Sequence, residues 1–113
     1  MSELLLEQIK NEVLSGVQNA LGDSLHKIIL YGSYARGDYN EDSDIDIMVL
    51  ADIGEDEIKN YRYEIDLVAS RISLAFDALV TISLKNKQLF YRRLVILPFY
   101  QNVVNDGVEL YGN

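Results

Sequence analysis

No cysteine occurs in this chain of 113 residues. Disulfide scaffolds, thiolate zinc sites, iron–sulfur clusters and a cysteine nucleophile are therefore excluded. Histidine is nearly absent too: His26 stands alone, which excludes a histidine-rich metal centre. No apolar run approaches the roughly 18 residues that a membrane span requires. The opening MSELLLEQIK has no basic segment followed by a small-residue cleavage site, so no signal peptide is expected. A cytoplasmic protein without membrane contact is the resulting expectation. Positive charge is scarce as well, with 10 Lys+Arg against 18 Asp+Glu and a net charge of −8. That balance argues against direct binding of nucleic-acid phosphate, which needs basic surface.

What is present is enough for a core. Apolar residues make up 49% of the chain, which excludes wholesale disorder. The length suits one domain over residues 1–113. Charge is unevenly placed: nine acids and no Lys or Arg lie between Asp38 and Glu57. The sign reverses at Lys85, Lys87, Arg92 and Arg93, which read as a solvated basic segment.

Periodicity alternates between helix and strand. Ser2 can cap a helix whose apolar positions are Leu5, Leu6, Ile9, Val13, Val17, Ala20 and Leu21, with Gly22 ending it. His26–Tyr31 reads as a buried strand. Ile45, Ile47 and Val49 alternate with Asp44, Asp46 and Met48, giving a second strand with a carboxylate face. Ile58, Tyr61, Ile65, Val68, Ile72 and Ala75 mark a helix of about five turns. Phe76–Leu84 alternates again and predicts a third strand. Pro98 suits the first turn of a last helix and Gly107 its end, with a short strand from Val108 to Tyr111. The expected architecture is α/β (α+β): a small mixed sheet of three to five strands with helices packed mainly on one face.

The chemistry centres on the second strand. Asp44 and Asp46 are two apart, so both carboxylates point to one side, roughly 6–7 Å apart at the backbone. Unpaired, they repel each other, and a hard cation such as Mg²⁺ would relieve the conflict. Upstream, the first strand ends in Tyr31-Gly32-Ser33, followed by Ala35-Arg36-Gly37. Gly32 permits close backbone approach, Ser33 offers a hydroxyl and an N–H to an anion, and Arg36 can add a charge-assisted contact. No Gly-Lys-Ser/Thr follows, so this is not a Walker A loop. His26, at the start of the first strand, reads as structural rather than as a base. Tyr31, Tyr34 and Tyr39 surround the Gly-Ser turn and read as core or interface aromatics.

Gly32-Ser33, ten residues, then Asp44-x-Asp46 resembles the signature of the DNA polymerase β-like nucleotidyltransferase superfamily. The stretch LYGSYARGDYNEDSDIDIMVL is similar to its minimal nucleotidyltransferase branch, and FYQNVVNDGVELYG extends a weaker likeness towards the C-terminus. The resemblance implies a polymerase β-like core and transfer of a nucleotidyl group with two Mg²⁺ ions, ATP serving as donor. Asp44 and Asp46 would hold the metals, while Gly32, Ser33 and Arg36 would bind the triphosphate. A third carboxylate normally completes such a site. Asp77, in phase with Leu79, Thr81 and Ser83 on the predicted third strand, is the expected one; Asp66 is disfavoured because it falls in the helical period. An alignment nearer Thr81 or Ser83 would leave the site one acid short.

Larger relatives carry an extra substrate domain, so the substrate-recognising part is expected here to be missing or to be supplied by another protein or a second copy. The resemblance implies a small helical HEPN-type partner, with AMP moved from ATP to a tyrosine of that toxin by this antitoxin. Two alternatives stay open: transfer to a small molecule such as an aminoglycoside, and a non-catalytic module that neutralises its partner by contact.

Overall fold

The computed structural model describes residues 1–112. Ten elements follow in order: α1 (Glu3–Leu21), a 3-10 turn at Gly22–Ser24, β1 (Leu25–Tyr31), α2 (Ser33–Arg36), β2 (Ile45–Ala51), α3 (Glu55–Phe76), β3 (Val80–Asn86), α4 (Lys87–Leu94), α5 (Pro98–Asp106) and β4 (Val108–Gly112). The four strands form one mixed sheet in the order β3-β2-β1-β4. β1 runs antiparallel to both β2 and β4, and β3 runs parallel to β2 across the α3 crossover. The α/β class and the mixed sheet agree with the sequence reading.

The two long helices cover one face. In α1 the Ser2 hydroxyl accepts from the Leu5 N–H at 3.1 Å, satisfying a first-turn donor. Ile9, Val13, Val17 and Leu21 recur at helical spacing and are buried. Gly22 ends the helix at φ 55°, and its N–H donates to the Gln18 carbonyl. α3 opens on Glu55, Asp56 and Glu57, where the helix dipole favours negative charge, and buries Ile58, Ile65, Val68, Ala69 and Ile72. These side chains meet Ile28 and Leu30 of β1, Ile45, Ile47 and Val49 of β2, and Val80, Ile82 and Leu84 of β3. At Gly16 a Cβ would lie 2.6 Å from Val68 Cγ1, so α1 and α3 approach closely there.

The opposite face carries a smaller cluster of Ile29, Met48, Leu50, Phe90, Tyr100 and Val103 under α4 and α5. α4 falls on the segment read as solvated and basic. It forms because the Asn86 side chain accepts from the Leu89 N–H at 2.8 Å, and because Phe90 is buried, while Arg92 and Arg93 remain exposed. α5 begins at Pro98 as expected. Gly107 ends it at φ −71°, so its role is space rather than a left-handed cap: a Cβ would lie 2.2 Å from the Val103 carbonyl oxygen and 2.6 Å from Ile29 Cγ2.

The third strand starts later than its alternation implied. Phe76 continues the apolar stripe of α3, and Asp77 is the helix cap, left-handed at φ 50°, ψ 47°. The Asp77 and Ala78 N–H groups both donate to the Ser73 carbonyl, and the Val80 N–H donates to Ser73 Oγ at 3.0 Å. Those bonds close the helix and delay extended chain until Val80.

Replacing Gly107 with Ala forces α5 away from β1 and is expected to lower stability by about 1–3 kcal/mol. Urea unfolding reads the shift directly; a wild-type midpoint would contradict the close packing at this turn.

Candidate functional site

At the C-terminal end of β1 the chain turns sharply through Gly32, at φ 77°, ψ −154°. Only glycine adopts this region readily. A Cβ there would also lie 2.6 Å from Asp46 Oδ2, so the turn and the acid of β2 are in close apposition. Ser33 then starts α2, whose first N–H groups have no intrahelical acceptor. α2 closes at Gly37, left-handed at φ 86°, with the Gly37 N–H donating to the Ser33 carbonyl. Tyr34 is buried and stacks on Tyr39 at 4.2 Å between ring centroids, which fastens the returning loop to the core. Asn40 Oδ1 accepts from the Asp42 N–H at 2.8 Å, and Ser43 Oγ accepts from the Asn40 N–H at 2.9 Å. This side-chain-locked turn leads the acidic loop back to Asp44 and β2.

Asp46 is half-buried in a cross-sheet row, with Tyr31 of β1 on one side and Thr81 of β3 on the other. The Thr81 hydroxyl donates to Asp46 Oδ1 at 3.0 Å. Above the row opens a cleft of about 280 Å³, bounded by Gly32, Arg36, Asp46, Phe99, Asn102 and Asp106 among others. A larger hollow of about 440 Å³ lies over Gly16 and Val68 between α1 and α3. It gathers none of the residues named for chemistry, so the smaller cleft is the candidate site.

Sequence expectations fare unevenly here. Gly32, Arg36 and Asp46 line one cleft. Ser33 is the next residue along, and exposed Asp44 immediately precedes β2, two residues before Asp46. Arg36 Nε lies 3.2 Å from Asp38 Oδ2, an exposed pair of the kind that contributes little and exchanges readily. Asp77 is not brought to the site: it caps α3, and no three of the described acidic or imidazole side chains converge to hold a metal. In the parallel register the residue facing Asp46 is Thr81. Sequence reasoning missed Phe99, Asn102 and Asp106, which α5 brings to the cleft, and no local pattern around them signals it.

The donor set still fits a hard divalent cation. Mg²⁺ is commonly held by one or two carboxylates, with phosphate oxygens and water filling its shell, and Asp44 and Asp46 offer the two. Tyr31 borders the cleft and packs edge-on against Phe99 at 5.8 Å. Burial raises its phenol pKa above the ordinary value; Ser83 partly opposes this and the Asp46 charge adds to it. His26 lies near the other end of β1, where Nε2 is 3.1 Å from the Tyr91 hydroxyl. Its pKa is lowered, first by burial and then by the charges of Lys87 and Lys27.

Two outcomes follow from this geometry. Gly32→Ala should cost about 1–3 kcal/mol through backbone strain alone, besides pushing on Asp46; a wild-type urea midpoint would contradict the apposition. A lowered pKa means the fold favours neutral imidazole, so the single His26 should titrate in NMR with a midpoint below 6.5. Lys87→Gln should raise that midpoint, and no change would show that Lys87 does not act on the ring.

Comparison with known proteins adds independent findings. The nucleotidyltransferase domain family matches residues 6–100. Two proteins of Methanocaldococcus jannaschii assigned as protein adenylyltransferases are similar over most of their length. One is 36% identical over 106 residues, covering 94% of this chain and 98% of the relative. The other is 33% identical over 105 residues, covering 93% and 97%. Among solved structures, a toxin–antitoxin with AMP-PNP matches with a TM-score of 0.59 at 25% identity, covering 92% of this chain and 73% of that one. A complex of a tri-AMPylated Shewanella oneidensis HEPN toxin with an MNT antitoxin matches in fold, with a TM-score of 0.55 at 24% identity, covering 95% and 72%.

Proposed function

The chain belongs to the nucleotidyltransferase domain family, and from that premise we propose that it transfers AMP from ATP to a tyrosine hydroxyl of a HEPN-type toxin, acting in the cytoplasm as the antitoxin of the pair. One observation carries the catalytic part: Asp46 lies against the glycine turn at the floor of a cleft, where a carboxylate and an anion-accepting backbone meet. The names and contents of the similar proteins support the reading.

In this reading the single domain of residues 1–113 supplies the donor half of the reaction. Gly32 leaves room for the phosphates beside Asp46, while the Ser33 hydroxyl and the opening N–H groups of α2 bind their oxygens. Arg36 exchanges Asp38 for phosphate, gaining a charge-assisted contact. Asp44 and Asp46 would hold the two Mg²⁺ ions, which when bound would supply Lewis-acid polarisation of the α-phosphate and offset charge on the pyrophosphate. The acceptor oxygen forms the new bond to the α-phosphorus as the bond to the pyrophosphate oxygen breaks, and the hydroxyl proton passes to solvent. Tyr31 and Phe99 wall the cleft and exclude water from one side.

A protein acceptor is favoured over a small molecule by the surface next to the cleft. Val95 and Ile96 are 77% and 73% exposed, and Leu97 and Phe99 continue the apolar run to the cleft wall. Contiguous exposed apolar residues of this kind mark protein contact. The lack of a third converging acid favours one second reading, neutralisation of the partner by contact alone.

The test is transfer of label from α-phosphate-labelled ATP, with Mg²⁺, to the co-expressed HEPN-type partner. Asp46→Asn should reduce labelling by about 100-fold, the upper end of what loss of even an outer-shell partner of a metal ligand costs, and should release the toxin. No label transferred by the wild type would sink the catalytic reading. Full neutralisation by Asp46→Asn would favour contact.

A further inference from the structure

We infer that Thr81 is a positioning residue that stands where a third carboxylate would face Asp46, and that it adapts the site to a cation arriving with its nucleotide rather than ahead of it. The inference rests on the nucleotidyl-transfer reading and specifies how that site takes its metal.

Three observations converge on one carboxylate. The parallel register of β2 and β3 sets Thr81 directly beside Asp46. The Thr81 hydroxyl donates to Asp46 Oδ1 at 3.0 Å, which orients the group. Oδ2 faces Gly32, where the absence of a side chain leaves it open towards the cleft. Threonine on a strand has few side-chain rotamers, so the donor itself is held in place. One oxygen is thus engaged and the other is presented to a ligand.

A neutral donor at this position has a second consequence. An acid at 81 would add a third negative charge beside Asp44 and Asp46, strengthening a site for a bare divalent ion and destabilising it when empty. With threonine there, two carboxylates remain, and the rest of the coordination shell must come from phosphate oxygens and water. Cation and nucleotide should therefore bind synergistically, and the coupling must be the same whichever binds first. No described cluster of acids compensates elsewhere in the fold.

Mn²⁺, followed by electron paramagnetic resonance with and without AMP-PNP, tests this on the purified chain. The wild type should bind Mn²⁺ weakly alone and about tenfold more tightly in the ternary complex, within the usual range of coupling between two ligands. Thr81→Val keeps the shape and removes the donor; it should weaken ternary Mn²⁺ binding about tenfold, and Thr81→Ser should restore it. Thr81→Asp should bind Mn²⁺ without nucleotide, and its coupling should shrink. Unchanged urea midpoints in the Val and Ser variants separate positioning from folding. The inference is overturned if Thr81→Val binds as the wild type does, or if Thr81→Asp gains no nucleotide-independent binding. Asp46→Asn distinguishes the two levels: if it leaves Mn²⁺ and AMP-PNP binding intact, the nucleotidyl-transfer reading itself fails. Sensitivity to Asp46→Asn with indifference to Thr81→Val sinks only the role of Thr81.

Discussion

Asp46 is an anionic group half-buried at the rim of an otherwise apolar strand, and much of the local structure serves to hold it there. Desolvating a carboxylate without a partner is costly. The fold meets that cost with one neutral donor, Thr81, and one residue without a side chain, Gly32. The two act on different oxygens and come from strands on opposite sides of β2. The antiparallel pairing of β1 with β2 and the parallel pairing of β2 with β3 must therefore both be in register for the carboxylate to be presented. A slip of one residue in β2 would turn Asp46 into the core and Ile45 or Ile47 out of it, and a slip in β3 would take the Thr81 side chain away from Asp46.

The two faces of the sheet divide the work. The α1–α3 face is continuous and apolar, with Ile9, Val13, Val17 and Ile65 fully buried, and it accounts for most of the core. The opposite face is covered only where Met48 and Leu50 meet Phe90, Tyr100 and Val103. Towards Asp46 that cover ends, and the gap is the cleft. α5 sets the depth of the gap because Gly107 lets it approach Ile29 closely, bringing Phe99, Asn102 and Asp106 to the edge. Short helices on that face are thus what leave a site open.

Much of this was legible in the sequence, for identifiable reasons. α1, α3, β1 and β2 each carry enough apolar residues at one period to be read directly, and Ser2, Gly22 and Pro98 mark ends that the structure reproduces. α2 spans four residues, too few for any period. α4 buries Phe90 alone, so its helical character resides in the Asn86 cap rather than in a stripe. The error at Asp77 has a sharper cause. Phe76 fits both a helical stripe and a strand alternation, and what decides between them is the hydrogen bonding of Ser73 to Val80, a contact over seven residues. With the strand start displaced, the third acid went with it. The Gly-Ser turn and the acid pair were readable because they are local; the Thr81 contact was not, because it exists only through strand pairing across 35 residues.

The net charge of −8 sets a physical condition on the proposed chemistry. Asp46 and Asp106 line the cleft and Asp44 lies two residues before Asp46, while Arg36 is the one cation among the described residues that line it. On the proposed chemistry, a free nucleotide triphosphate approaching that mouth would meet repulsion from the carboxylates, which the single guanidinium of Arg36, shared with Asp38, would offset only in part. Delivered as its Mg²⁺ complex, the same nucleotide carries less charge and, in the proposed reaction, would bring the cation for Asp44 and Asp46. On that chemistry, the acidic surface would discriminate by ligation state, favouring a metal-bound triphosphate over a bare polyanion. On this view the acid excess and the missing third carboxylate belong to one arrangement: a third acid would deepen the negative potential at the mouth, whereas Thr81 fixes Asp46 without adding to it.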